Sequence, residues 1–258
     1  MGRSVAIVNQ KGGVGKTTTA VNISASLAIT ERRTLLVDLD PQTNATTGVG
    51  VDYKSQKISI YDIIVEEVPI EQSRCSTTLP FLDLIPSHFD LVGAEAELAT
   101  LPEREIRLRR ALANLETQYD FILIDCPPSL GFLTLNALAA AQGVLIPLQC
   151  EYYALEGLAH LLKTIERVRS SVNPQLEIDG VLLTMFDART TLANQVKSEV
   201  ERYLGDRLLR TVIPRNVRLS EAPSHGKPII LYDIRSAGAV AYLELAREVI
   251  HRAAARVG

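Results

Sequence analysis

The chain has 258 residues, of which 47% are hydrophobic and 22% are charged, and its formal net charge is −3. These proportions are those of an ordinary globular protein and exclude a wholly disordered chain. Because single hydrophobic cores usually split beyond ~250–300 residues, we expect one domain over residues 1–258.

The cysteines indicate a reducing compartment. Cys75, Cys126 and Cys150 are odd in number and widely spaced, without a C-x-x-C pair. This usage is not that of a disulfide framework or a zinc site. No apolar run approaches the ~20 residues that a transmembrane helix needs. We therefore expect a cytoplasmic protein.

Apolar runs of strand length alternate with longer helical patterns. The strand-like runs are 4–10, 33–40, 81–87, 120–125, 143–149, 178–186, 208–214 and 228–233. Apolar residues recur at helical spacing over 16–29, 103–118, 154–172, 190–204 and 237–256. Nearly continuous apolar strands are typical of a parallel sheet buried on both faces. The alternation predicts a doubly wound α/β fold, with a mostly parallel sheet of about seven or eight strands flanked by helices.

The first strand-like run leads into "KGGVGKTT" (11–18). Its glycines let backbone N–H groups converge on phosphate oxygens, and the following helix points its positive dipole end at the same anion. In such a P-loop, Lys16 reaches the β- and γ-phosphates and the Thr17 hydroxyl ligates Mg²⁺. Gln10 stands where the generic motif has its first glycine. The predicted nucleotide-binding residues are Lys11, Gly12, Gly13, Val14, Gly15, Lys16, Thr17 and Thr18.

Carboxylates follow two further strand-like runs. "LLVDLDPQTN" (35–44) contains Asp38 and Asp40, and "FILIDCPPSLG" (121–131) contains Asp125. Ligands of open parallel sheets bind beyond the carboxyl ends of the strands. Asp125 has the form of a Walker B carboxylate, which holds Mg²⁺ directly or through water. The sequence predicts a nucleotide·Mg²⁺ site. Its predicted metal-site residues are Thr17, Asp38 and Asp125.

These residues resemble a specific family. "KGGVGKTT" is similar to the deviant Walker A motif, K-G-G-x-x-K-[ST], of the ParA/MinD group of P-loop ATPases. "VDLDPQ", "LIDCPPSLG" and "TVIPRNVRLSEAPSHGKPIILYD" (211–233) resemble the ParA/Soj-type chromosome-partition ATPases. The likeness extends from Val5 to about Ala246.

The resemblance implies an ATPase that forms a nucleotide-sandwich homodimer, and we expect slow turnover because the sequence identifies no Lys or His base near the site. In that dimer Lys11 would reach the phosphates bound by the other subunit, where an added cation stabilises the charge that develops during phosphoryl transfer. Asp40 would orient the attacking water, so the expected catalytic residues are Lys11, Lys16 and Asp40. Pro214 and Asn216 match family positions that contact adenine.

The last quarter of the chain is basic. Residues 189–258 hold 12 lysines and arginines against 7 acidic residues, whereas residues 1–188 hold 15 against 23. Arg189 and Arg218 match family positions that contact DNA, with Lys197, Lys227, Arg252 and Arg256 as weaker candidates. With no base-reading helix evident, we expect salt-sensitive contact with phosphates and no sequence specificity. The resemblance also implies nucleoid association and a ParB-type partner that stimulates hydrolysis.

Three other classes of protein compete with this interpretation. A MinD-like membrane-cycling division-site ATPase ends in an amphipathic helix with bulky apolar residues. Here the end is "EVIHRAAARVG", rich in alanine, so we expect no stable membrane binding. An iron–sulfur-bridged reductase needs cysteine ligands, but Cys126 belongs to the partition-like "DCPPSLG". A small-molecule kinase offers no role for Lys11 or residues 211–233. We therefore expect a partitioning ATPase.

Overall fold

An eight-stranded sheet, flanked by helices, runs through residues 2–152 and 154–257, the part of the chain that the computed structural model describes. The strands are β1 (Arg3–Ile7), β2 (Thr34–Asp38), β3 (Cys75–Ser76), β4 (Leu82–Ile85), β5 (Phe121–Asp125), β6 (Gly143–Gln149), β7 (Glu177–Phe186) and β8 (Leu208–Pro214). Their order is β3-β4-β2-β5-β1-β6-β7-β8, with β3 antiparallel to β4 and the other described pairs parallel. The predicted doubly wound, mostly parallel fold is confirmed.

Helices cover both faces of the sheet. They are α1 (Lys16–Ile29), α2 (Asn44–Gly48), α3 (Ile60–Glu66), α4 (Leu91–Leu98), α5 (Arg107–Leu112), α6 (Phe132–Ala140), α7 (Ala154–Ser171), α8 (Thr191–Leu204), α9 (Val217–Glu221), α10 (Ile229–Tyr232) and α11 (Ala237–Val257). Val5 and Ile7 of β1 pack in the core cluster of α1 and α11, whereas Ala6 and Val8 pack in the cluster of α6 and α7. Burial on both faces explains the continuous apolar runs. Among the described helices, none has the length and apolarity to span a membrane.

One predicted strand is wrong. Residues 228–233 contain the short helix α10 (Ile229–Tyr232) instead of a strand. Pro228, at the N-cap with φ −57°, precedes one helical turn whose Ile229 and Ile230 are buried. The Ile229 N–H donates to the side-chain oxygen of Asn22 on α1, 2.7 Å away. A short apolar run does not distinguish a buried strand from a buried helical turn.

The helix predicted over 103–118 is shorter than expected, because only α5 is regular there. Its first turn is fixed from outside, where the side-chain oxygen of Asn136 accepts the Leu108 N–H at 3.1 Å. Beyond α5 the chain continues in turns, such as the 2.9 Å bond from the Gln118 N–H to the Leu115 carbonyl. The hydrogen bond to Asn136 of α6 therefore helps to fix where α5 begins.

Candidate functional site

The loop between β1 and α1 has a backbone that requires glycine. Gly13 and Gly15 have φ values of 74° and 87°, in the left-handed region that L side chains rarely adopt. Gly15 is the N-cap residue of α1, so the helix begins directly at Lys16. The loop thus presents backbone N–H groups and a helix N-terminus to the same side, as an anion site requires.

Neighbouring strands hold this loop in place. The Asn9 side chain donates to the Pro147 carbonyl at 2.8 Å and accepts the Lys11 N–H at 3.0 Å. On the other side, the Thr184 hydroxyl of β7 donates to the Val14 carbonyl at 2.8 Å. Sequence reasoning missed the bonds from Asn9 to Pro147 and from Thr184 to Val14, because each joins residues that are distant along the chain.

A cavity of about 490 Å³ lies at the edge of the sheet where the parallel strands end, called here the carboxyl edge. Of the predicted nucleotide-binding and catalytic residues, those that line it are Gly12, Gly13, Gly15, Lys16, Thr17, Thr18, Asp40, Pro214 and Asn216. Val14, in the same loop, is buried. The fold thus brings the loop after β1 together with the segment after β8, about two hundred positions later in the chain.

The two loop lysines lie in different environments. Lys16 lines the cavity, is 6% exposed and donates to the Lys11 carbonyl at 3.0 Å. Burial lowers the pKa of Lys16, and the negative charges of Asp125 and Asp40 oppose that effect. Lys11 is absent from the cavity lining, has 47% of its side chain exposed and pairs with Glu151. Sequence reasoning missed Glu151, although its place two residues after β6 put it at the carboxyl edge.

Two buried aspartates are paired in register on adjacent strands. Asp38 of β2 is in register with Asp125 of β5, and both are fully buried. Burial raises the pKa of Asp38 to about 6. Its oxygens accept bonds of 2.8 and 2.7 Å from the N–H and hydroxyl of Thr46, and one of 3.1 Å from the Asp40 N–H. Asp38 is therefore already satisfied by its own chain.

Asp125 is not satisfied in this way. Among the described residues, neither of its carboxylate oxygens has a hydrogen-bond partner. Burial raises the pKa of Asp125, the charge of Asp38 raises it further, and the nearby Thr17 hydroxyl acts in the opposite direction. An orphaned buried carboxylate beside a hydroxyl fits Mg²⁺, which prefers oxygen ligands and lies beside phosphates in such sites.

Asp40 and Asn216 are fixed by their own loops. The Asp40 carboxylate accepts the Gln42 N–H at 2.9 Å, and its carbonyl accepts the Ser87 hydroxyl at 2.7 Å. Asn216 is the N-cap residue of α9, where its side-chain oxygen accepts the Arg218 N–H at 2.9 Å. This leaves the Asn216 NH₂ group as a donor toward the cavity that it lines.

The predicted DNA-binding arginines are exposed but paired. Arg189, in the turn between β7 and α8, has 89% of its side chain exposed and makes parallel bonds of 2.9 and 2.7 Å to the two Asp187 oxygens. Arg218 of α9 lies 2.9 Å from Glu221 and 3.5 Å from Asp233. Both arginines follow strands that end at the carboxyl edge.

The other basic candidates divide between the two edges of the sheet. Lys197 of α8 is half-buried, 5.7 Å over the Phe186 ring, and Lys227 is exposed before α10. Arg252 and Arg256 of α11 lie at the opposite edge, called here the amino edge. Arg252 lies 3.0 Å from Glu248, and Arg256 pairs with Asp179. The structure therefore separates Arg252 and Arg256 from the arginines beside the cavity.

Comparison with known proteins agrees with this geometry. A family model described as an AAA domain matches residues 2–178. Soj, the sporulation initiation inhibitor protein of Bacillus subtilis (strain 168), is 57% identical over 249 residues, covering 96% of this chain and 98% of that protein. The chromosome partitioning protein ParA of Myxococcus xanthus (strain DK1622) is 56% identical over 252 residues, covering 98% of this chain and 89% of that protein.

Among solved structures, cobyrinic acid a,c-diamide synthase from Mycobacterium smegmatis with bound ADP and magnesium has a TM-score of 0.85 and 40% identity, covering 97% of this chain and 95% of that chain. The two ParA/Soj relatives are more similar in sequence than this structure and match nearly the whole chain. Their identity, the P-loop and the parallel sheet lead to one conclusion: the chain belongs to the ParA/Soj family of chromosome-partitioning ATPases.

Proposed function

We propose that the chain is an ATP-dependent dimerising switch that partitions a chromosome or a plasmid. It binds ATP and Mg²⁺, forms a nucleotide-sandwich homodimer, binds DNA without sequence specificity and slowly hydrolyses ATP to ADP and phosphate. A ParB-type centromere-binding protein stimulates hydrolysis, which releases the DNA. Residues 1–258 act as one ATPase domain with a basic C-terminal portion, associated with the nucleoid in the cytoplasm.

One observation carries the proposal: Lys16 is buried in the cavity, whereas Lys11 is exposed outside it. A lysine that its own site does not use is available to phosphates held by a second subunit. Lys11 pairs with Glu151, whose side chain is 43% exposed. Because ion pairs between exposed groups contribute about 0–1 kcal/mol, Lys11 can exchange Glu151 for a phosphate at little cost.

The proposed chemistry gives a task to residues that line the cavity and to the two buried aspartates, Asp38 and Asp125, which do not line it. The Thr17 hydroxyl and the Asp125 carboxylate would hold Mg²⁺, which would supply positive charge to neutralise the phosphate oxygens. Asp38 supports this metal site as the carboxylate in register with Asp125. Lys16 binds the β- and γ-phosphates, and Asp40, held by its loop, orients the attacking water.

Binding of the base is assigned to the segment that follows β8. Pro214 offers an apolar surface to adenine, and the NH₂ group of Asn216 is a donor for a ring nitrogen. Because β8 and the P-loop meet at the carboxyl edge, one nucleotide spans both. Base binding therefore depends on the packing of the two segments against each other.

DNA binding is assigned to Arg189 and Arg218, with Lys197 and Lys227 as further contacts. The two arginines are exposed and lie beyond adjacent strands, so their guanidinium groups can reach backbone phosphates. A homodimer carries two copies of this surface, which raises affinity for a long polyanion through multivalency. ATP-dependent dimerisation therefore controls DNA binding.

DNA retention by the purified protein tests this assignment. We expect wild type to retain non-specific duplex DNA with ATP, with affinity falling steeply as salt increases. Arg189→Glu should weaken retention at least about tenfold, because it replaces attraction to a phosphate with repulsion. Arg32→Glu is the matched control, since Arg32 is an exposed arginine before β2 at the amino edge. Unchanged retention by a dimer-forming Arg189→Glu would contradict the DNA assignment.

A lipid-pelleting measurement separates this function from membrane cycling. We propose no stable membrane binding, because α11 ends in small alanines and offers little apolar area to a bilayer. Incubation with anionic vesicles and ATP should leave the protein in the supernatant. ATP-dependent sedimentation with the vesicles would favour a MinD-like role instead.

A further inference from the structure

Arg215 lies between the two residues proposed to bind adenine, Pro214 and Asn216. It is exposed, and its side chain lines both the nucleotide cavity and a neighbouring groove of about 650 Å³. Its backbone N–H donates to the Phe186 carbonyl at 3.2 Å, which ties the end of β8 to the end of β7. Arg215 therefore joins the nucleotide cavity to the surface that carries Arg189.

Arg215 differs from the other arginines of this surface in its charge balance. Arg189 is paired with Asp187, and Arg218 is paired with Glu221 and Asp233. No salt bridge to Arg215 is found within the part of the chain that the structure describes, and the residue is exposed. Arg215 is therefore not held in a salt bridge as Arg189 and Arg218 are, although the charge of Asp187 acts on it.

Arg215, Arg189 and Asp187 line the same groove. All three line the groove wall formed by the ends of β7 and β8, whereas Glu244 lies on the α11 wall. Hydrogen bonds from Arg189 lower the pKa of Asp187 to about 2, and the charge of Arg215 contributes to that lowering. Asp187 is thus ionised at neutral pH and competes with any phosphate for both arginines.

From this geometry, and resting on the DNA binding proposed above, we propose that Arg215 is a DNA-phosphate ligand that couples the nucleotide cavity to the DNA surface, with Asp187 as the internal competitor. A nucleotide held by Pro214 and Asn216 fixes the backbone on both sides of Arg215 and so orients its guanidinium. The phosphate then binds Arg215 and shares Arg189 with Asp187.

Titrations of ATP-bound dimer with non-specific duplex DNA, over a series of salt concentrations, test the proposal. Arg215→Ala should weaken binding about tenfold and reduce the salt slope by about 1, as expected for one lost phosphate contact. Arg215→Lys should retain most of the affinity, because a phosphate accepts either cation. Asp187→Asn should bind DNA more tightly than wild type, by about threefold or more. Arg32→Ala, an exposed arginine without a salt bridge in the described chain, should behave as wild type.

Light scattering on each variant with ATP ensures that only dimers are compared. The proposal is wrong if Arg215→Ala dimers keep the wild-type affinity and salt slope, or if Asp187→Asn weakens binding. Those results would leave the proposed function intact, provided that the wild-type dimer binds DNA. A wild-type dimer that retains no DNA would contradict the proposed function itself.

Discussion

At the scale of single residues, Asp125 is the most informative group in the site. Its carboxylate is fully buried, and both its oxygens lack a hydrogen-bond partner in the described chain. Asp38, its neighbour in register, accepts three hydrogen bonds. Burial raises the pKa of Asp125 and so disfavours its ionised form, and a cation bound beside it would favour the carboxylate. The buried Asp125 carboxylate beside the Thr17 hydroxyl therefore fits a bound metal ion.

Asp125→Asn should remove the stabilisation that Mg²⁺ provides. At ~100 times its dissociation constant, a bound ligand stabilises a fold by about 2.7 kcal/mol, which thermal melting of wild type with ATP·Mg²⁺ should detect. The variant should lose this gain and at least about 100-fold in ATP turnover. Without ligand it should be as stable as wild type, or more so. Asp206→Asn, an exposed change at the amino edge, is the control. A Mg²⁺-dependent gain in thermal stability that survives in Asp125→Asn would contradict the assignment of Asp125 to the metal site.

At the residue scale, sequence reasoning identified the site residues that belong to short motifs. It missed the carboxylates that form ion pairs with the predicted cationic residues. Lys16 and Asp125 belong to local patterns with a defined chemistry. Glu151 and Asp187 do not, since a carboxylate after a strand is common and its partner depends on side-chain direction. Arg215 was likewise missed, although it stands between Pro214 and Asn216. Its significance comes from a groove formed by two strands and α11.

At the scale of elements, the sequence predicted the strands that two helical layers bury. The run 143–149 matches β6, and 208–214 matches β8, residue for residue. Residues 228–233 were predicted wrongly, because α10 has strand-like length and apolarity and only its packing on α1 makes it helical. The two-residue β3 was missed for the opposite reason: it has no apolar run and depends on pairing with β4.

The edge strand β8 depends on one carboxylate of α11. Glu248 accepts bonds of 2.9 Å from the backbone N–H groups of Arg210 and Thr211 and one of 2.8 Å from the Thr211 hydroxyl. Burial raises the pKa of Glu248, but these backbone hydrogen bonds, together with the Arg252 charge, outweigh it and leave the pKa below its usual value. Glu248 therefore covers donors that an exposed sheet edge would leave unpaired.

Glu248→Gln should destabilise the fold by about 1–3 kcal/mol at pH 7, because an amide NH₂ then faces backbone donors. Since the pKa of Glu248 is lowered on folding, its contribution is complete above the unfolded value of about 4.3 and is lost as pH falls through the folded value. The difference from wild type in urea unfolding should therefore shrink below pH ~4. Glu244→Gln, an exposed change on the same helix, should have little effect at any pH. An equal difference at pH 7 and in acid would contradict this role.

At the scale of the whole molecule, the basic last quarter does not form one surface. Arg252 and Arg256 pair at the amino edge with Glu248 and Asp179, and they hold α11 to the first residues of β8 and β7 through the Leu208 carbonyl and the Asp179 carboxylate. Arg189, Arg215 and Arg218 lie at the carboxyl edge, next to the nucleotide cavity. A count of charges along the sequence cannot make this division, because it depends on which end of a strand each helix reaches.

The same edge carries the nucleotide, the exposed Lys11 and the proposed DNA contacts. In the proposed function, a second subunit that approaches this edge would meet all three, which would couple dimerisation, hydrolysis and DNA release through one surface. The proposed switch depends on Lys11 acting across that interface, since Lys11 does not line the cavity of its own subunit.

Light scattering of the purified protein with ATP·Mg²⁺, with ADP and without nucleotide tests this most directly. We expect a dimer with ATP and a monomer otherwise. Asp40→Ala should accumulate the ATP dimer, because hydrolysis stalls without an oriented water, whereas Lys11→Ala should weaken it about tenfold or more. A monomer in every state, with hydrolysis that does not depend on Lys11, would contradict the switch.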